Sequence, residues 1–162
     1  MKLFLMLSLI VLGLGRLAFS AGTPEGQVMD VEGAWFSCEF AHSQIPPADG
    51  CKMLDDDGFM VAGGRIDHIK VTDSDQRGCR HQRFGQCFDR TQAKITVSRD
   101  PVGPIRATGD GFAITYWGCT QDYKMARRGD YFEVTPNGGH CLWTKDKRYF
   151  VSRYRGKLEI GG

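Results

Sequence analysis

Six cysteines, Cys38, Cys51, Cys79, Cys87, Cys119 and Cys141, all lie downstream of an apolar leader. The chain opens MKLFLMLSLIVLGLGRLAFSA. Lys2 supplies a positive start, Leu3 to Leu14 an almost unbroken apolar run, and Ala18 and Ser20 the small residues a signal peptidase reads. The pattern predicts a signal peptide over 1–20 and a secreted or periplasmic destination. The run is short for a membrane span and nothing later approaches one, so no transmembrane segment is expected in the mature chain. In an oxidising compartment an even cysteine count reads as disulfides. Pairing sequence neighbours gives Cys38–Cys51, Cys79–Cys87 and Cys119–Cys141, because short loops are the easiest to close. A stapled chain of roughly 140 residues suits one domain with its own core. A flexible lead-in is expected over 21–30 and a single disulfide-stapled β domain over 31–162.

The hydrophobic pattern has the period of strands. Ala93, Ile95 and Val97 alternate with Lys94, Thr96 and Ser98, and Phe112, Ile114 and Tyr116 alternate with Ala113, Thr115 and Trp117. Runs at GAWFSCEF, GFMVAGG, RIDHIKVTD, RFGQCFDR, DYFEVTP, GHCLWTK and KRYFVSRYR complete the set. Turn signals separate them: Pro46-Pro47, Asp57-Gly58, the PVGPI stretch, Gly109-Asp110-Gly111 and Asn137-Gly138-Gly139. QDYKMARRGD has room for one helical turn at most. The expected fold is all-β, either an antiparallel up-and-down barrel of about eight strands or a β-sandwich.

Gly33-Ala34-Trp35 at the start of the first strand, TQDY at Thr120 to Tyr123, and the late Arg153 fall in the order seen in calycin-like barrels. This group includes the lipocalins and bacterial periplasmic inhibitors. The chain resembles that superfamily in these three places. The resemblance implies an antiparallel barrel in which the guanidinium of Arg153 stacks on the indole of Trp35 and closes one end.

The residues that could carry chemistry have ordinary explanations beside sharper ones. In RGCRHQRFGQC a zinc reading would use Cys79, His81 and Cys87, but the fourth ligand has no clear source beyond His68 or His140, and oxidation favours cystine. Neither metal nor cofactor is expected. Arg77, Arg80, His81 and Arg83 are candidate binding residues on that loop. Asp55, Asp56 and Asp57 read as a solvated turn rather than a calcium loop, whose acids alternate. Arg128-Gly129-Asp130 reads as a turn entering a strand. His42, His68, His81 and His140 stand in no recognisable nucleophile or metalloprotease context. Asp67 and His68 are neighbours on one strand and point to opposite faces. Trp117 and Trp143 flank Cys119 and Cys141 and are candidates for a binding patch.

Charge narrows the partners. Lys2 and Arg16 leave with the leader, so 21 basic residues become 19, against 19 acidic ones. A neutral mature chain is a poor partner for nucleic acid. The expected function is therefore a non-catalytic binding module, such as a protein inhibitor of a hydrolase acting through rigid loops. A small-ligand carrier using a barrel interior is the first alternative, and a secreted hydrolase the second. The partner would be another protein or a small apolar ligand.

Overall fold

The computed structural model describes residues 29–39, 46–76, 87–138, 141–142 and 147–161. Among them the chain forms ten strands: β1 Gly33–Cys38, β2 Met53–Ala62, β3 Arg65–Ser74, β4 Cys87–Asp89, β5 Lys94–Ala107, β6 Gly111–Tyr116, β7 Cys119–Arg128, β8 Tyr131–Pro136, β9 Tyr149–Arg153 and β10 Lys157–Ile160. Neighbours around the ring pair antiparallel, and β1 bonds both β9 and β2, so eight strands close into a ring in the order β1-β9-β8-β7-β6-β5-β3-β2. A closed ring leaves no free edge among its members. β4 adds to β2, and β10 adds parallel to β5.

The hairpin turns follow from backbone chemistry. Gly63 and Gly64 both have positive φ and join β2 to β3, as a tight two-residue hairpin requires. The β6–β7 turn uses Trp117 and Gly118, with φ of 48° and 76°. Gly58 answers a different demand: a Cβ there would lie 2.4 Å from the Trp35 carbonyl and 2.5 Å from the Phe36 ring. Phe36 packs across β2 only because that position carries no side chain.

Several sequence expectations are corrected. The PVGPI stretch is not a turn but part of β5, where a register shift opposite Ile66 and Asp67 leaves Val102 as an extra residue. A bulge tolerates prolines that an unbroken ladder would not. Asp55, Asp56 and Asp57 lie within β2, and Asp55 is buried. QDYKMARRGD holds no helical turn: its first eight residues belong to β7, where Gln121, Tyr123 and Met125 turn inward in strict alternation. Lys, Met, Ala and Arg favour helix locally, and the pairing with β6 and β8 overrides that preference. Cys141 and Leu142, read as strand, lie outside any strand.

The ring wall is covered on its inner face and, at β1, β2, β3, β5 and β9, on its outer face as well. On one face Val31, Trp35, Val61, Ile66, Ile105, Tyr123, Met125 and Val134 cluster inside the ring. On the other, Phe36, Leu54, Ile69, Val71, Phe88, Ile95, Val97, Phe150 and Tyr154 form a second core. The Tyr154 hydroxyl, just past β9, donates to the carbonyl of Ala93, just before β5. The far halves of β3 and β5 therefore curl back over the outside of β1 and β9. This explains why Trp35 and Phe36 are neighbours and both buried.

Cys38–Cys51 and Cys119–Cys141 are disulfides, with sequence separations of 13 and 22. Cys87 is also oxidised, and the expected pairing with Cys79 falls outside the described residues. The first bridge is held from the turn between β7 and β8. Both carboxylate oxygens of Asp130 accept from the Cys51 amide at 3.1 Å. Asp130 also pairs with Arg90 at 3.2 Å, and Arg90 bonds Ser152 at 2.9 Å. Arg128-Gly129-Asp130 is thus a turn whose acid is committed to the scaffold.

Candidate functional site

One end of the ring is plugged. Residues 29–32 run across it, from the amide of Met29 on the Thr108 carbonyl to the start of β1. Thr108 belongs to the β5–β6 turn, about half a circuit from β1 in the strand order. Met29 and Asp30, the last residues of the expected lead-in, are therefore anchored. Trp35 donates its indole N–H to the Val31 carbonyl at 2.8 Å. The Arg153 guanidinium lies over the Trp35 ring, 4.8 Å from its centroid, which is the contact expected from the sequence. The same side chain bonds the Asp30 carbonyl at 2.8 Å and its carboxylate at 2.9 Å. That guanidinium, with help from the Glu32 amide, holds the Asp30 carboxyl below its ordinary pKa.

Above the plug is a cavity of about 370 Å³. Every one of the eight ring strands contributes to its wall, so it lies inside the ring. Val31 and Trp35 line it at the plug, and along the wall register sets Val61 beside Ile66, Met125 beside Val134, Phe112 beside Tyr123 and Ile105 beside Ile114, with Val151 from β9. Ser37, Tyr116 and Tyr149 stand at the strand ends remote from the plug and bring three hydroxyls there, and Tyr123, opposite Phe112, brings one deeper in. Burial pushes the Tyr149 phenol above its ordinary pKa. Gln121, fully buried, bonds the carbonyls of Asp122 and Gly138 and so ties β7 to the segment after β8. A volume at the lower end of the usual 300–1,000 Å³ range, with apolar walls and a few polar groups at one end, has the form of a small-molecule site.

The mouth has two unlike sides. On one, the β6–β7 tip carries Trp117, 87% exposed and stacked on Tyr116 at 5.0 Å between centroids. Cys119–Cys141 fastens this tip to the β8–β9 connection, where Leu142 is 97% exposed. A non-glycine residue at positive φ is costly for a bulky side chain, and Trp117 is the one such case among the described residues. On the other side Phe59 lines the cavity while 41% exposed, and its ring meets the edge of His68 at 5.8 Å. Beyond Phe59 on the same face are Asp57 and Lys70, which are paired in register.

Of the candidate binding residues, Trp117 stands at the mouth. Arg77, Arg80, His81, Arg83 and Trp143 fall outside the described residues, as do His42 and His140. His68 and Asp67 do point apart: Asp67 pairs with Arg99 on the outer side, while His68 faces Asp57. Among the described residues no three of His, Cys, Asp and Glu converge as a metal-binding group, and no helix is long and apolar enough to cross a membrane. The sequence reasoning missed Phe59, His68 and Asp57 as a group. The signal was the alternation Asp57, Phe59, Val61 facing Lys70, His68, Ile66, obscured by reading Asp57-Gly58 as a turn. Comparison with protein-family models, with curated proteins and with solved structures gives no match.

Proposed function

We propose that this chain holds a small apolar ligand inside its ring, as a carrier or receptor exported with its disulfides formed. The observation that carries the reading is the cavity of about 370 Å³ with walls of aliphatic and aromatic side chains from all eight ring strands. A cavity with such walls offers water few polar partners and accepts an apolar guest. The plug at Trp35 and Arg153 gives the site a floor, and the staple at Cys119 and Cys141 fixes part of its rim before any ligand arrives. Pre-organisation of that sort lowers the ordering cost of binding. The Trp35–Arg153 contact supports the same reading, because it closes the plugged end of the ring. Native mass spectrometry of chain purified without detergent tests the proposal. It predicts a retained small molecule, released on denaturation. A chain that carries none, and whose Trp35 emission ignores every apolar titrant, would overturn it.

A second reading keeps a protein partner, including inhibition of a hydrolase. Trp117 and Leu142 favour it, as large apolar side chains left almost wholly exposed on a disulfide-fixed rim. A purified partner that binds the native chain and loses that binding in a W117S/L142S variant would support this reading. Equal binding by the variant would end it.

A further inference from the structure

Resting on the cavity reading, we infer that the ligand is a neutral amphiphile whose hydroxyl-bearing head sits on a lip made by Asp57, His68 and Lys70. Polarity along the ring interior runs one way. Toward the plug the lining side chains are apolar apart from the Tyr123 phenol, so a polar head finds little to pair with there, and burying one unpaired costs on the order of 1–3 kcal/mol. The remote end changes character at Phe59. Past it, on the same face of the β2–β3 pair, register places Asp57 opposite Lys70 and His68 opposite Phe59. A ligand with one polar end therefore enters body first and leaves its head at this lip.

The lip's charges select the head. His68 Nε2 and Lys70 Nζ lie 3.6 and 3.9 Å from the same Asp57 oxygen, Oδ1. Both are longer than a normal hydrogen bond of about 2.7–3.2 Å, so the three groups do not use up their hydrogen-bonding capacity on one another. Asp100 pairs in register with His68 and is exposed on the same side. The neighbouring Arg99 is committed to Asp67 on the outer face. Two carboxylates, Asp57 and Asp100, face the single ammonium of Lys70. A carboxylate or phosphate head would meet a net negative lip. A hydroxyl both donates to Asp57 and accepts from Lys70 or His68, matching each group without adding charge.

The test compares four ligands of one chain length by competition against a fluorescent apolar reporter: decane, decane-1,2-diol, decanoate and decyltrimethylammonium. The diol is expected to bind at least tenfold tighter than decane and than either ion. D57N and K70Q are each expected to weaken the diol several-fold and to leave decane unchanged. If decane matches the diol and neither variant moves either ligand, the lip is irrelevant and the cavity reading stands alone. A preference for decanoate or for the ammonium overturns the neutral head. If no member of the series binds, the lip and the cavity reading fall together.

Discussion

Replacing Arg153 by methionine keeps an unbranched apolar stem over Trp35 and removes the charge. The loss has two parts that can be sized. The guanidinium over the indole, on a side chain 33% exposed, contributes about 1 kcal/mol, between surface and desolvated cases. The charged donor on the Asp30 carbonyl at 2.8 Å adds about 1.5 kcal/mol. Against this, Arg153 Nε is buried without a partner, so its removal returns part of a desolvation cost. The net expectation is a destabilisation of about 2 kcal/mol at pH 7, or roughly 6 °C in Tm for a domain of this size. Urea denaturation followed by circular dichroism and by tryptophan emission measures it. A third contribution, from the ion pair with the Asp30 carboxylate, is read from the pH dependence. The Asp30 pKa is held down chiefly by Arg153, so that contribution is present above pH 3.8 and is lost as pH falls through the lower folded value. The gap between wild type and R153M should therefore narrow below about pH 4, while the Trp35 part persists because arginine stays charged. A variant as stable as wild type at pH 7, or a gap that is the same at pH 2.5 as at pH 7, would refute the view that Arg153 clamps the plug.

Four further outcomes are expected. Gly58→Ala should cost about 2–3 kcal/mol in urea denaturation, because its Cβ must displace either the Trp35 backbone or the Phe36 ring; a cost under about 0.5 kcal/mol would mean the two strands are not so closely packed. Removing the Cys119–Cys141 bridge as a double alanine variant should cost about 3 kcal/mol from loop entropy over 22 residues. Trp117→Asn should stabilise the chain by about 0.5–1 kcal/mol in the same assay, since asparagine tolerates positive φ, and a loss of stability would show that the stack on Tyr116 outweighs the backbone cost. Burial, reinforced by the charge of Asp75, pushes the Tyr154 phenol up to about 12. Its neutral form is favoured by folding, so stability is full below pH 10 and falls between pH 10 and 12. Tyr154→Phe should remove that part of the alkaline limb, which pH titration of Tm would detect.

The architecture was legible where side-chain alternation and turn glycines agreed. β6, with Phe112, Ile114 and Tyr116 on one face, and the Gly63-Gly64 turn needed nothing beyond local pattern. Trp35 and Arg153 stack as two of the three short motifs implied, while Thr120 to Tyr123, the third, lies within β7. β7 was hidden because its residues favour helix, and only the strands on either side make it extended. The PVGPI stretch read as a turn because prolines usually stop a ladder, and a bulge opposite Asp67 is a property of the pair of strands. β10 escaped because its pairing is parallel and its partner lies some sixty residues away. The cavity was foreseen only as an alternative. Its lining residues are the same kinds that would fill a core, and whether they meet at the centre is decided by ring size and stagger. The lip was missed for a related reason: Asp57 and His68 become neighbours only through the β2–β3 register.

The central claim is that the ring interior takes an apolar guest down to Trp35. It is tested most directly by titrating a brominated decane into a W117F/W143F variant, where Trp35 is the remaining tryptophan and lines the cavity. The account predicts saturable quenching of Trp35 emission at one guest per chain. Emission that stays constant, or falls only linearly without saturation, would contradict it.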